Sequence, residues 1–236
     1  MTRSQTQAQE RTQASRQSSR ALTVLTGDIV KSARLSESAL DEAMETLRMG
    51  ARTLWDWGER PGEAPAQFAR FRGDGWQCVA PTPALALRSS LYLRACLRRL
   101  GREYETRISV GIGPGSLSGD APERWNALAG ASGAAFELSG RGLDDMNRSR
   151  QLVIDWSEPP RDAALIDSIF ALTDEISRLW TPRQAEFLAE TLSPGDSPQE
   201  KLAERRGITQ QTVAEHLRAG GDWALRTALT AVEGRS

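Results

Sequence analysis

The spacing of apolar and polar positions divides the chain into two regions. Up to about residue 154, short strand-like apolar runs alternate with helical segments, whereas the rest of the chain has helical periodicity only. Predicted strands cover 21–30, 67–72, 75–79, 108–112 and 152–154. The first predicted helix begins at a capping box of Ser38 and Asp41. Two further predicted helices cover 86–100 and 134–146. This order, β-α-β-β-α-β with a further α-β, predicts an α+β domain on one antiparallel sheet.

Proline and glycine mark the predicted boundaries. The segment 60–65 is expected to end the first helix, Gly73-Asp74 to form a hairpin turn, and Gly113-Pro114-Gly115 to end the fourth strand. Pro159-Pro160 separates a domain over 21–158 from an all-helical domain over 159–236, with helices at 163–179, 183–190, 199–206, 210–219 and 223–232. Residues 1–20 have no large apolar side chain and predict a disordered tail.

Composition excludes several classes of function. The chain is 39% hydrophobic and 26% charged with a net charge of −1, so it lacks the strongly basic surface of many nucleic-acid binders. One histidine and two cysteines argue against a His/Cys metal site and against Ser-His or Cys-His catalysis. No apolar run is long enough for a membrane helix, the N-terminus is polar, and the cysteines form no disulfide framework. We therefore expect a cytoplasmic protein that does not enter membranes.

Two aspartates are expected to meet at one end of the sheet. In a β-α-β-β-α-β sheet the first two strands are parallel, with the third between them, so Asp28 after strand one lies beside Asp74 in the hairpin turn. Close carboxylates repel unless a cation lies between them, and Mg²⁺ commonly takes one or two carboxylates. The pair predicts a Mg²⁺ or Mn²⁺ site; the alternative is that both are ordinary turn residues.

The motifs Gly27-Asp-Ile-Val-Lys-Ser32, Phe71-Arg-Gly-Asp-Gly-Trp76 and Arg107-Ile-Ser-Val-Gly-Ile-Gly113 resemble the palm domain of class III nucleotidyl cyclases. Their similarity to the divergent SatD-like relatives is greater, over about residues 21–155. The resemblance implies a ferredoxin-like palm in which Asp28 and Asp74 hold metal ions against a nucleoside triphosphate. The resemblance also implies that Arg70 occupies the position of the base-reading lysine of adenylyl cyclases. It further implies that the backbone of Ile29, Val30, Lys31 and Ser32 lies near the phosphates.

The chain departs from the cyclase pattern at the residues that stabilise the transition state. Cyclases have an asparagine and an arginine there, whereas the segment 130–141 has no asparagine and a single arginine, Arg141. Arg141 is therefore the one catalytic candidate, and the departure favours nucleotide binding over turnover. Lys31 is either a phosphate contact or an exposed turn residue.

The segment 199–218 fits a helix-turn-helix. Gly207 is placed for the turn, Thr209 for the cap of the second helix, and Val213 and Leu217 for packing inward. With the preceding helix, residues 180–232 resemble region four of sigma factors and related regulators. The outward residues, whose glutamine and arginine side chains suit base edges, are Gln210, Gln211, Thr212, Glu215, His216 and Arg218.

Three functions are compatible with these observations. The first is a DNA-binding regulator, expected to be a homodimer, whose cyclase-like domain senses a nucleotide or a metal ion. The second is an active nucleotidyl cyclase whose C-terminal helices dimerise or regulate it. The third is an interaction protein in which both sites are inactive. A near-neutral helical region of 181–236 also allows a dimerisation bundle that does not bind DNA.

Overall fold

The computed structural model describes residues 21–58, 68–71, 73–117, 128, 130–194 and 199–234. The predicted tail over 1–20 and the predicted helix breaker at 60–65 lie outside these residues. The strands are β1 (Ala21–Ile29), β2 (Phe68–Phe71), β3 (Gly75–Ala80), β4 (Thr106–Ser116), β5 (Ser132–Gly133) and β6 (Leu152–Trp156). The helices are α1 (Glu37–Asp56), α2 (Ala86–Arg98), α3 (Ala134–Asp144), α4 (Ala163–Arg178), α5 (Pro182–Leu192), α6 (Gln199–Arg206), α7 (Gln210–Ala219) and α8 (Asp222–Glu233).

The fold is α+β with one mixed sheet. The strand order is β2-β3-β1-β4-β5, with antiparallel pairing between neighbours, and β6 also pairs with β4. The expectation of a purely antiparallel sheet is wrong, because β6 runs parallel to β4. Helix α3 supplies the crossover that a parallel pair requires.

Helices cover both faces of the sheet. Side chains alternate along a strand, so Leu25 belongs to a core formed with α1 and α2, while Val24 packs in a cluster with Ala135 of α3. Helix α3 lies very close to β4: a Cβ at Gly111 would be 2.2 Å from the carbonyl oxygen of Ala135. Gly111 therefore sets the distance between the sheet and the helix on this face.

Two predicted boundaries are wrong for local reasons. Ser36, rather than Ser38, caps α1, and its Oγ accepts a 3.2 Å hydrogen bond from the backbone nitrogen of Ala39. Strand β4 continues through Gly113-Pro114-Gly115, because Pro114 lies opposite Ala21 at the very start of β1. A proline is tolerated at such a strand end, where few ladder bonds remain to be lost.

The core continues across Pro159-Pro160. Phe170 and Phe187 of the C-terminal helices belong to the same buried cluster as Leu91 and Leu97 of α2. The five C-terminal helices appear where the sequence predicts them. The two predicted domains therefore share apolar packing.

Two ion pairs join α2 to the C-terminal helices. The buried guanidinium of Arg94 donates 2.7 Å hydrogen bonds to Asp174 Oδ1 and to Ser177 Oγ of α4. Arg88 donates from Nε and Nη2 to the two carboxylate oxygens of Glu233 in α8, at 2.6 and 2.8 Å. Long side chains of α2 thus hold both the beginning and the end of the helical region.

Candidate functional site

The two predicted metal ligands lie at the same end of the sheet. Asp28 is paired with Gly75 across the β1–β3 ladder, directly beside Asp74. The backbone nitrogen of Ile29 donates a 3.2 Å hydrogen bond to the carbonyl oxygen of Asp74. Gly73 has φ +79° and makes the β2–β3 turn, as the hairpin motif predicts. The sheet topology therefore brings the Asp28 and Asp74 backbones together as expected.

The carboxylate of Asp28 is already paired with a positively charged side chain. Arg107 of β4 donates from Nε to Asp28 Oδ1 at 2.9 Å and from Nη2 to Oδ2, a bidentate pair. Both side chains are partly exposed, at 35% for Arg107 and 23% for Asp28. Such a fork satisfies both carboxylate oxygens in one plane.

The carboxylates around Arg107 form one electrostatic cluster. Hydrogen bonding to Asp28 raises the pKa of the Arg107 guanidinium, against the opposing effect of partial burial. The negative charges of Asp28, Asp74 and Asp144 raise that pKa further. Arg107 is thus the internal counter-ion of this end of the sheet.

Sequence reasoning did not assign Arg107 a role, although it begins one of the cyclase-like motifs. The signal that finds it is the register of β1 against β4, where Arg107 lies directly opposite Asp28. Opposite charges at directly paired positions interact across a sheet. Register is the information that the motif alone does not contain.

Asp74 is held by the segment that follows β1. Ser32 Oγ donates a 2.5 Å hydrogen bond to Asp74 Oδ2. Ser32 begins a short 3-10 helix over Ser32–Arg34, and Lys31 before it is exposed with φ 56°. The expected phosphate-binding backbone is partly engaged, because the nitrogen of Val30 donates to the carbonyl oxygen of Glu105 at 2.8 Å.

Arg70 and Arg141 are the remaining residues that the sequence predicts for the nucleotide site. Arg70 donates to the carbonyl oxygen of Gly73 at 2.8 Å and to Asp41 Oδ1 at 2.6 Å, so its guanidinium braces the hairpin against α1. Arg141 is exposed on α3, and in the described part of the chain no hydrogen bond joins it to Asp28 or Asp74.

The arrangement does not fit a divalent cation as it stands. Both oxygens of Asp28 accept hydrogen bonds from Arg107, and one oxygen of Asp74 accepts from Ser32. Over the described residues there is no group of three or more histidine, cysteine, aspartate or glutamate side chains that is able to hold a metal ion. A metal ion at Asp28 requires Arg107 to leave.

The second candidate site is the helix pair α6–α7. Gly207, with φ +62°, makes the turn, and Thr209 caps α7 by accepting a 3.1 Å hydrogen bond at Oγ1 from the nitrogen of Thr212. Leu202 of α6 and Val213 and Leu217 of α7 are buried. The inward face of α7 therefore falls as the sequence predicts.

The predicted DNA-reading residues differ in their surroundings. Gln210, Gln211, Glu215 and Arg218 are exposed, with Gln211 Nε2 donating to Glu215 Oε1 at 3.2 Å. Thr212 is half-buried, and its hydroxyl lies 2.9 Å from that of Thr209.

His216 does not belong to the exposed set. Its ring stacks on Phe187 of α5, with the ring centroids 5.4 Å apart, and Arg183 lies over the same Phe187 ring at 4.8 Å. The prediction that His216 points outward is therefore wrong in part, because packing against α5 turns this side of α7 inward. His216 therefore contributes to the packing of α7 against α5.

Neighbouring basic side chains are largely neutralised. Arg206 pairs with Glu186 at 2.7 Å, and Arg205 pairs with Glu190 at 3.3 Å. Both pairs join α6 to α5. Exposed Arg218 and Lys201 thus remain the clearest phosphate-binding candidates of this region.

Comparison with known proteins yields neither a matching family model nor a matching curated protein. Within the described residues, no helix has the length and apolarity needed to cross a membrane. The inference of function therefore depends on the geometry of the carboxylate–Arg107 cluster and of α7.

Proposed function

We propose that the protein is a DNA-binding regulator, that α7 is its recognition helix, and that the sheet region is its sensor. The observation that supports this proposal is the two-sided character of α7. Val213 and Leu217 are buried while Gln210, Gln211 and Arg218 are exposed. Glutamine forms bidentate bonds with adenine and arginine with guanine in the major groove. The exposed set is therefore suited to reading sequence.

The test replaces Gln211 and Arg218 together by alanine. Sequence preference is expected to disappear, because each good bidentate contact is worth about 1–3 kcal/mol. The DNA consists of fragments that the wild-type protein retains from a genomic pool at low salt. Fluorescence anisotropy measures the affinity of wild type and variant for these fragments. Arg226→Ala, which removes an exposed arginine from α8, is the matched control for charge. If the wild-type protein retains no fragment, the helices are a packing bundle and the proposal fails.

The strand order β2-β3-β1-β4 supports a ferredoxin-like palm for the sheet region. In our proposal the sensed ligand is a nucleoside triphosphate with Mg²⁺ or Mn²⁺, and its binding excludes the Arg107–Asp28 pair. A switch of this kind requires a structural element that has two alternative arrangements. The Arg107 side chain is such an element in our proposal, because it competes with the ligand for Asp28.

The ligand is tested by incubation with each of the four triphosphates and Mn²⁺, with both binding and cyclic product measured. Asp74→Asn is expected to abolish Mn²⁺-dependent binding, whereas Asp145→Asn, at the exposed end of α3, leaves it unchanged. Equal affinity of wild type and Asp74→Asn for the nucleotide with Mn²⁺ would show that Asp74 acts only as a turn residue. Formation of cyclic product would instead make the protein a nucleotidyl cyclase.

A homodimer is part of this proposal, because two recognition helices strengthen a weakly charged DNA-binding unit. The supporting observation is an apolar stripe on α4. Leu165 and Leu172 of α4 and Leu179, which caps the end of the helix, recur every seven residues and are 50%, 67% and 78% exposed. Heptad spacing of apolar residues favours pairing with another helix.

The stripe is complementary to a second copy of itself. In an antiparallel pairing of two copies centred on the exposed Ser168, the exposed Ala164 of one copy would lie opposite Leu172 of the other. Small residues at the centre of such a pairing permit close approach. A cytoplasmic location also stays a prediction, supported by two buried cysteines that form no disulfide.

A further inference from the structure

A cavity of about 420 Å³ lies beside the proposed recognition helix. Gln199 at the start of α6, several residues of α7 and the first residues of α8 line it, and Ala214 and Arg218 belong to the α7 wall. Gln211, Ala214 and Arg218 are spaced i, i+3 and i+7, so they lie along one side of α7. Because Gln211 and Arg218 are the proposed base-reading residues, the cavity borders the reading face of the helix.

The α8 wall of this cavity contains a tryptophan that is almost fully open to solvent. Trp223, the second residue of α8, lines the cavity and is 79% exposed. Among the described residues, no other large apolar side chain is as exposed. An indole presents a large apolar surface together with one N–H donor, and tryptophan is therefore enriched where one macromolecule contacts another.

The turn between α7 and α8 fixes the position of Trp223. The carbonyl oxygen of Gly220 accepts a 2.9 Å hydrogen bond from Trp180 Nε1. Asp222 Oδ1 accepts a 3.0 Å hydrogen bond from the hydroxyl of Thr191 in α5. The turn is anchored at both ends by these bonds, so Trp223 is held at the surface next to α7.

The charges at this cavity suit a polyanion. Among the described residues that line it, the charged ones are Arg218 and Asp222. Asp222 is 16% exposed and its Oδ2 pairs with Arg226 at 2.8 Å, whereas Arg218 is exposed and forms no ion pair within the described part of the chain. Glu215, a carboxylate on the outward side of α7, does not line the cavity. The uncompensated charge at the cavity is therefore positive, as required beside the phosphates of DNA.

We propose that Trp223 contacts the sugar–phosphate backbone of the DNA that α7 binds, an inference that rests on the proposed DNA-binding function. The ring packs on a deoxyribose beside the major groove, and Nε1 donates a hydrogen bond to a phosphate oxygen. Such a contact carries no sequence information but fixes the register of the protein on the duplex. Trp223 is therefore a positioning residue for α7.

The test measures the DNA affinity of Trp223→Ala and Trp223→Phe by fluorescence anisotropy at low salt. Two DNAs are used: the fragments that the wild-type protein retains, and a duplex of about 20 base pairs, or two helical turns, with an arbitrary sequence. Trp223→Ala is expected to lower the affinity for both DNAs by a similar factor of about five- to tenfold, because the contact is independent of sequence. Trp223→Phe, which keeps an aromatic ring, is expected to lose less. Met49→Ala, at an exposed apolar side chain of α1, is the matched control and leaves both affinities unchanged.

Two further measurements separate a DNA contact from a structural role. In protein labelled with fluorotryptophan, the fluorine resonance that Trp223→Phe lacks belongs to Trp223, and it is expected to shift when either DNA is added. The melting temperature and the mass from light scattering are expected to be the same for Trp223→Ala and wild type. The slope of affinity against salt concentration also stays unchanged, because an indole carries no charge.

The outcomes distinguish this inference from the proposed function. If Trp223→Ala binds both DNAs like wild type, while replacement of Gln211 and Arg218 removes sequence preference, the inference fails and the proposed function stands. A smaller mass of Trp223→Ala would place Trp223 in a dimer interface and overturn the inference as well. Absence of DNA binding by the wild-type protein would overturn both.

Discussion

Arg107 holds both carboxylate oxygens of Asp28, and it does so from the directly opposite position of the neighbouring strand. The pair places a fixed positive charge at the point where the cyclase resemblance predicts a metal ion. Asp74 and Asp144 add negative charge around the same guanidinium. Arg107 therefore neutralises the charge of Asp28, but one guanidinium cannot balance all three carboxylates.

Loss of this counter-ion is expected to create a demand for a metal ion. Arg107→Gln leaves Asp28, Asp74 and Asp144 mutually repelling, which costs about 1 kcal/mol of stability in the presence of a chelator. Mn²⁺ is then expected to raise the melting temperature of the variant more than that of the wild-type protein. Arg178→Gln, which removes a partly exposed arginine that pairs with Glu175 of α4, is the matched control. Equal Mn²⁺ shifts in wild type and Arg107→Gln would contradict competition at Asp28.

Breaking the buried pair of Arg94 and Asp174 is expected to lower the free energy of unfolding far more than loss of Arg107 does. Arg94 is 6% exposed and Asp174 1%, and burial lowers the pKa of the Arg94 guanidinium while Asp174 opposes that effect. Asp174→Asn leaves a buried charge without its partner, so the free energy of unfolding should fall by about 3–5 kcal/mol.

Urea unfolding measures this loss, with Asp167→Asn as the control in the same helix. Asp167 pairs with Arg150, but the two side chains are 42% and 24% exposed, so we expect a loss below about 1 kcal/mol. A small effect of Asp174→Asn would mean that water reaches Arg94.

The dimer surface predicts a specific disruption. Leu172→Glu places a charge at the centre of the apolar stripe and should weaken dimerisation by at least tenfold, without changing the fold of the monomer. Light scattering after gel filtration measures the mass. Met49→Glu, at a side chain of α1 that is 47% exposed, is expected to stay dimeric. A monomeric wild-type protein at high concentration would refute the α4 interface.

The two cysteines predict a loss of stability at alkaline pH. Burial raises the pKa of the Cys78 thiol and that of the Cys96 thiol. In the unfolded chain a thiol ionises at about pH 8.5, so stability is complete below that pH and falls as the pH rises above it. Between pH 8 and pH 10 the wild-type protein should lose more stability than the variant Cys78→Ala/Cys96→Ala, by up to about 2 kcal/mol for a thiol that stays protonated in the folded protein. Parallel losses would show that water reaches both thiols.

Topology was predictable from the sequence where local patterns determine it. The order of strands and helices identifies the hairpin at Gly73-Asp74 and places Asp28 beside it, and helical periodicity identifies the buried Val213 and Leu217. Register was not predictable, because helices cover both faces of this sheet and the apolar pattern along a strand therefore does not distinguish the faces. The pairing of Arg107 with Asp28 depends on that register.

The orientation of a side chain at the border between the buried and exposed faces of a helix could not be predicted from the sequence either. His216 lies between the buried and the exposed side of α7, and the position of Phe187 on another helix decides where its ring packs. Strand β5, with two residues, is too short for any periodicity.

The pairing of Arg88 with Glu233 has a consequence for the way the chain folds as it is synthesised. These residues are 145 positions apart, and Glu233 is the last residue of α8. During synthesis α2 is made well before its partners in α4, α5 and α8. Contacts of such large sequence separation form slowly, and the apolar side of α2 stays uncovered until they do. We therefore expect a nascent chain to expose the apolar side of α2 until α8 has left the ribosome.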